Sequence, residues 1–370
     1  MPSFIVTDHE STGTRIREVL SFGGNACTAM QVLAIDDGAR QLSREGQVDL
    51  IILALPTDRE RGLALLPTLS RVAPGKVIVV GPTSDAKLVL SALRAGAADF
   101  VDVGDLESEL KAALERLETA TVGSREPGRL VAFLAPNGGS GSSTLAVNVA
   151  ITLAKTHKSV ALLDMKLETG DLAALLDLRP TYTLADLCHN AARLDRVMFE
   201  RSLVKHDSGV HLLAPPHELA DAAQIRPEGV GQAVALARDI FPFIIVDCDH
   251  SFREEQRVIL RQADLIVIVL RLDFTSLRNV RRTIEFLLKL NVPPEKVRIV
   301  VNRHGQVQEV PAAKAEEALG MKVSHLVPED VKAVNRANNH GVPVVIDLPT
   351  AKVSKSLVQL AASLDAEAKR

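Results

Sequence analysis

Short runs of Val, Ile and Leu recur along the chain, in FIV, LIILAL, KVIVVG, LVAFLA, SVALLD, FIIVD, LIVIVL and VRIVVN, each separated from the next by an Ala- and Leu-rich stretch. Strands this apolar offer neither face to water, so the sheets they form must be covered by helices on both sides. Parallel strands also need crossovers of about a dozen residues or more, which the intervening stretches supply as helices. The pattern specifies an α/β protein with mostly parallel sheets.

At 370 residues the chain is long for one domain and comfortable for two. The clearest break is ETATVGSREPG, Glu118 to Gly128, where helical periodicity gives way to Gly, Ser, Thr and Pro before a new strand starts at Arg129. We therefore expect a first domain over 1–118, a linker over 119–128 and a second domain over 129–370. In the first, strands are expected at SFIVTD, AMQVLAID, DLIILAL, KVIVVG and DFVDV, alternating with helices in a flavodoxin-like arrangement. No repeat of solenoid period is visible.

Composition excludes several function classes. Lys and Arg number 43 against 46 Asp and Glu, a net charge of −3, so the chain lacks the basic footprint of a nucleic-acid binder. Aromatics are 3%, with no Trp and a single Tyr, Tyr182, which leaves little for stacking on bases. Cys27, Cys188 and Cys248 are few, odd in number and far apart, as reduced thiols in a cytoplasmic protein would be. The pair Cys188 and His189 lacks the companion spacing of a metal site. The start, MPSFIVTDHES, does not read as a signal peptide, and no apolar run approaches the roughly 20 residues of a membrane span. A cytoplasmic location, with membrane contact at most peripheral, is expected.

The segment richest in chemistry is PNGGSGSSTL, Pro136 to Leu145, between a strand over 130–134 and a helix over 143–155. Glycines let backbone N–H groups converge on phosphate oxygens, the helix N-terminus adds partial positive charge, and a Ser or Thr hydroxyl can reach Mg²⁺. Asn137, Gly138, Gly139, Ser140, Gly141, Ser142, Ser143 and Thr144 are the candidate phosphate-binding residues. The loop contains no lysine.

From about Gly128 to Leu364 the sequence resembles the MinD/ParA family of deviant Walker A ATPases, whose loop reads KGGxGK[ST]T. The family's two lysines fall on Asn137 and Ser142, while Gly138, Gly139, Gly141, Ser143 and Thr144 match. The strand beginning KSVALLDMK puts Asp164 at the family's second motif, with Lys166 where another acid usually stands. FPFIIVDCD corresponds to the Walker B strand and ends in Asp247. The resemblance implies ATP and Mg²⁺ as cofactors, the metal held by Ser143 and Asp247. It further implies that Asn302 and Arg303, in VRIVVNRHG, lie near the adenine, and that the loop around Pro328 and Asp330 borders the base. Asp249 and His250 read as polar residues at the sheet's C-terminal edge.

Residues 1–118 resemble the receiver domains of response regulators, most clearly in VDLIILALP, Val48 to Pro56, and ALRAGAADFV, Ala92 to Val101. The positions of the phosphoacceptor, the hydroxyl and the lysine fall on Ala54, Gly81 and Val103, and of the acid pair only Asp8 remains, beside Thr7. Phosphotransfer is not expected; docking a partner and simply covering or dimerising the second domain both stay open. The fusion of a degenerate receiver with a lysine-poor MinD/ParA domain resembles the CpaE/TadZ group of Flp (Tad) pilus assembly proteins, through GDLAALLDLRPTYTLADL, LLAPPHELADAAQIRPEGV and IVDCDHSF. That resemblance implies a homodimer partnered by the pilus secretion ATPase and inner-membrane platform, at a site that is often a cell pole.

Loss of both lysines should reduce phosphoryl transfer more than nucleotide binding, because those charges act most on the transition state. Lys166 is expected to return one positive charge to the phosphate side of the pocket. Three readings are left open: an ATP-binding scaffold with little hydrolysis, an ATPase cycling on membrane or DNA, and a pseudo-ATPase that binds nothing. The tail SKSLVQLAASLDAEAKR, with Leu357, Leu360 and Leu364 on one face and few basic residues, reads as a helix packed on its own domain. Arg278, Arg281 and Arg282 read as a solvated helix face.

Overall fold

A computed structural model describes residues 3–22, 31–42, 48, 50–124 and 126–368. Cys27 lies outside the described residues. The chain divides into two compact units, Met1–Arg125 and Glu126–Arg370.

The first unit alternates strand and helix: β1 (Ser3–Val6), α1 (Glu10–Phe22), β2 (Val32–Leu33), α2 (Ile35–Leu42), β3 (Leu50–Ala54), α3 (Arg59–Val72), β4 (Val77–Gly81), α4 (Ala86–Arg94), β5 (Asp99–Asp102) and α5 (Leu106–Ser124). The five strands are parallel, in the order β2-β1-β3-β4-β5, a doubly wound arrangement. Alternate residues of each strand feed two cores, Val6, Ile51, Leu53 and Val79 on one face and Ile5, Ile52, Ile78 and Val80 on the other. Two expectations are corrected. β2 keeps only two residues of the expected AMQVLAID strand. α5 runs through the segment expected to be a linker and stops at Ser124, because Thr, Val, Ser and one Gly weaken a helix without ending it, whereas Pro127 disfavours helical backbone at the residue before it.

Of the positions singled out by the receiver resemblance, Ala54 is buried at the end of β3. At Gly81 a β-carbon would come within 2.9 Å of the Phe100 ring, so a side chain there would require that ring to shift. Asp8 Oδ1 accepts from the backbone N–H of Ile35 at 3.0 Å, tying the end of β1 to the start of α2.

The second unit holds eight strands: β6 (Arg129–Leu134), β7 (Val160–Met165), β8 (Val204–Lys205), β9 (Val210–Leu213), β10 (Phe243–Cys248), β11 (Leu265–Leu270), β12 (Val297–His304) and β13 (Val323–Pro328). Their order is β13-β12-β11-β6-β10-β7-β9-β8, parallel throughout except for the β8–β9 edge hairpin. Leu130, Ala132 and Leu134 of β6 join Ile244, Val246, Ile266 and Ile268 in one core. Val131 and Phe133 join Ile245, Val267 and Val269 in the other, under the helix α6 (Ser142–His157) and the helix Lys352–Ala368. Leu357, Leu360 and Leu364 of that last helix are buried, Arg298 Nη2 pairs with Glu367 Oε2 at 2.6 Å, and His157 Nε2 meets Asp365 Oδ1 at 2.9 Å. No helix among the described residues is long and apolar enough to cross a membrane.

Candidate functional site

β6 is central in its sheet, and the chain leaves its C-terminal end through Ala135–Gly141 to start α6. Two residues of that turn require glycine: Gly139 has φ 74° and Gly141, the N-cap of α6, has φ 93°, a region costly for residues with a β-carbon. A β-carbon at Gly138 or Gly139 would meet nothing within 4 Å, so the bend is open outward. One at Gly141 would collide with the Asn302 amide.

The turn is held from both flanks. Asn302 of β12 donates from Nδ2 to Ser140 O at 2.7 Å, Ser140 Oγ donates to Asn137 O at 3.0 Å, and Asn279 Nδ2 donates to Asn137 Oδ1 at 3.1 Å. Beneath it, the buried Asn148 of α6 donates to Thr144 O at 2.7 Å and accepts from Val345 N at 3.0 Å, clamping the first turn of the helix to the closing segment. Asn279 and Asn148 were not singled out from the sequence. Asn148 had a readable signal, a lone amide inside the apolar AVNVAITLA.

Asp164 and Asp247 are register partners on β7 and β10, so their carboxylates emerge side by side below the loop. Both are buried. Asp164 accepts from the backbone N–H groups of Lys166 and Leu172, each at 3.1 Å, and Gly170 leaves room for its carboxylate, which a β-carbon there would approach to 2.5 Å. Burial, reinforced by the Asp247 charge, pushes the Asp164 carboxyl up to about 7. Burial also raises Asp247, opposed by Lys166.

Lys166 is the cation of this cluster. Its Nζ donates to Ser143 Oγ at 2.7 Å and Ser142 Oγ at 3.0 Å and forms an ion pair with Asp247 Oδ2 at 3.0 Å, while neither buried Asp247 oxygen has a hydrogen-bond partner among the described residues. Ser143 and Asp247, expected to share Mg²⁺, share this ammonium instead. Mg²⁺ binds oxygens at about 2.0–2.1 Å in near-octahedral geometry and would need the same space. A divalent ion about 3 Å from the ammonium would meet a repulsion on the order of 10 kcal/mol at an effective dielectric of about 20, against a comparable attraction from Asp247, so ion and ammonium compete for that carboxylate. The residues as they stand do not fit the metal while Lys166 lies between them.

On the other side of the loop a pocket is lined by Gly141, Thr144, Asn302, Arg303, Pro328 and Asp330, among others. Arg303 reaches it from a left-handed backbone, φ 55°. Asp330 caps the helix Val331–His340 through Ala333 N at 3.0 Å. The structure thus brings the loop, Asp164, Lys166 and Asp247 into one cluster and sets Arg303 and Pro328 in an adjoining pocket. Asn302 lines that pocket, but its amide is committed to the loop backbone.

The remaining candidates are placed elsewhere. Asp249 and His250 pair with each other at 2.8 Å beside the cluster, His250 largely exposed. His189 Nε2 meets Gln224 Oε1 at 2.9 Å, and burial pushes the Cys188 thiol up to about 11. Arg278, Arg281 and Arg282 form an exposed face of the helix Phe274–Lys289.

Residues 131–344 match the CobQ/CobB/MinD/ParA nucleotide binding domain. The chain belongs to this family. An uncharacterized ATP-binding protein of Methanocaldococcus jannaschii is 25% identical over 236 residues, 63% of this chain and 86% of that protein. A ParA family ATPase from Chlorobium tepidum superposes with a TM-score of 0.61 at 25% identity, covering 63% of this chain and 98% of its own. MinD of Pyrococcus horikoshii, solved with Mg-ADP, superposes with a TM-score of 0.58 at 18% identity, covering 64% and 96%. The family match lies wholly within the second unit, Glu126–Arg370.

Proposed function

We propose that the chain is an ATP-binding assembly factor of the MinD/ParA type, dimerising on nucleotide and hydrolysing it slowly or not at all, and that it serves a Flp (Tad) pilus or related secretion machine. The observation that carries the nucleotide part is a loop that keeps its glycine bend and helix N-terminus while lacking both lysines. Such a bend before a helix N-terminus supports a phosphate site, because it can turn backbone amides toward one anion. The cations that would stabilise charge in the transition state have been reduced to one, Lys166. A pocket lined by Gly141, Arg303 and Pro328 adjoins the loop and supports reading it as the base site. The relatives named as ATP-binding or as ATPases support the same ligand.

The pilus assignment rests on the resemblance to the CpaE/TadZ group, together with a first unit whose receiver positions are Ala54, Gly81 and Val103. A unit without an acceptor carboxylate is suited to docking, and the secretion ATPase and inner-membrane platform are its proposed partners. The buried apolar face of the helix Lys352–Ala368 favours this reading over membrane cycling through a C-terminal amphipathic helix.

Titration calorimetry with ATP, paired with a size measurement on the same sample, tests the reading. Binding together with a shift from monomer to dimer is expected, with turnover far below the roughly 1 s⁻¹ at the low end of ordinary enzymes. A folded protein that takes up no nucleotide would leave the pseudo-ATPase reading in its place.

A further inference from the structure

We propose that Lys166 is a resident cation standing in for the divalent metal, so that this chain binds nucleotide without Mg²⁺. The inference rests on the nucleotide reading above and adds to it how the phosphate charge is met.

Three observations carry it. The ammonium touches both groups expected to hold the metal, Ser143 Oγ at 2.7 Å and Asp247 Oδ2 at 3.0 Å. Asp247 is fully buried, and Lys166, with a side chain only 20% exposed, is the partner that offsets its charge. A buried carboxylate stripped of its one cation is strongly disfavoured, so Lys166 leaves Asp247 only where another cation takes its place. Finally, the same ammonium lies 3.0 Å from the hydroxyl of Ser142, at the first turn of α6, the position where the resemblance puts the missing loop lysine. One side chain thus stands at the places of two absent charges. It donates to both serine hydroxyls and holds Asp247 as an ion pair, so phosphate contact requires it to exchange a serine hydroxyl for a phosphate oxygen while keeping Asp247. A compact monovalent donor can make that exchange within hydrogen-bond distances.

The test is ATP binding to the full-length protein by calorimetry, once with EDTA and once with Mg²⁺, with the thermal shift read in parallel. The wild-type affinities are expected to agree within about threefold, where a metal-dependent site would lose about tenfold or more in EDTA, roughly the loss of one charged contact. Lys166→Gln, which keeps the length and removes the charge, is expected to weaken binding in EDTA about tenfold or more and to recover part of it in Mg²⁺. Binding by the wild type only when Mg²⁺ is present overturns the inference and leaves the nucleotide reading intact. Unchanged affinity of a folded Lys166→Gln protein in EDTA overturns it as well. Absence of binding by folded wild type in both buffers overturns the nucleotide reading and this inference with it. The wild-type comparison needs no variant, so it decides even if Lys166→Gln does not fold.

Discussion

At the residue scale the cluster below the loop places two buried carboxylates beside one ammonium, and that imbalance has a pH signature. Asp164 titrates near 7 in the folded chain against an ordinary 3.8, raised first by burial and then by Asp247. A carboxyl that holds its proton more tightly in the native state stabilises it at low pH. The contribution is complete below about pH 4 and is lost as pH climbs through about 7. The groups facing Asp164 are Asp247, whose own pKa is raised in the same sense, and Lys166, which opposes both. Loss of a few kcal/mol across that window is the expected order of magnitude. In Asp164→Asn, whose amide resembles the protonated acid in shape and charge, the fall in melting temperature between pH 5 and pH 7.5 should shrink. An unchanged fall would assign the titration to another group. The sequence disclosed Asp164, Asp247 and Lys166 as members of one site. It did not disclose that Lys166 reaches Ser143 and Asp247, because a flexible side chain's target is set by charges brought from other strands.

At the scale of elements, the loop is a turn that two neighbours hold in place, and its weak point is Gly141. Gly141→Ala would put a β-carbon at φ 93° and against the Asn302 amide that anchors Ser140 O. Backbone strain alone costs about 1–3 kcal/mol. Displacing the amide adds about 1 kcal/mol for the lost hydrogen bond. The second unit should melt several degrees lower. Because part of the cost is the collision, Gly141→Ala should be milder in an Asn302→Ala background than in the wild type, and strictly additive melting shifts would show that the two do not touch. This element also marks where sequence reading stopped. The bend and the flanking strand and helix were legible because Gly, Ser and the change of hydrophobic period are local signals. The role of Asn302 was not: its motif position pointed to adenine, while its amide is engaged by a backbone carbonyl far away in the chain. The same limit explains α5, where a run of weak helix formers reads as a linker although the helix continues to Ser124.

At the scale of the whole molecule, each unit has its own pair of cores on the two faces of its own sheet, which is the property that lets a domain fold alone. All the loop, carboxylate and pocket residues lie beyond Glu126. A fragment over 126–370 should therefore fold cooperatively and bind ATP with the affinity of the full chain, within about threefold. What it should lose is whatever the first unit recruits: a partner captured by the full chain and by a fragment over 1–125, yet not by 126–370, would assign docking to the first unit. The two measurements separate the roles cleanly. If 126–370 folds but binds nucleotide more than about tenfold more weakly, the first unit contributes to the site and the division of labour argued here fails. If both fragments and the full chain capture the same partner equally, recruitment belongs to neither unit alone.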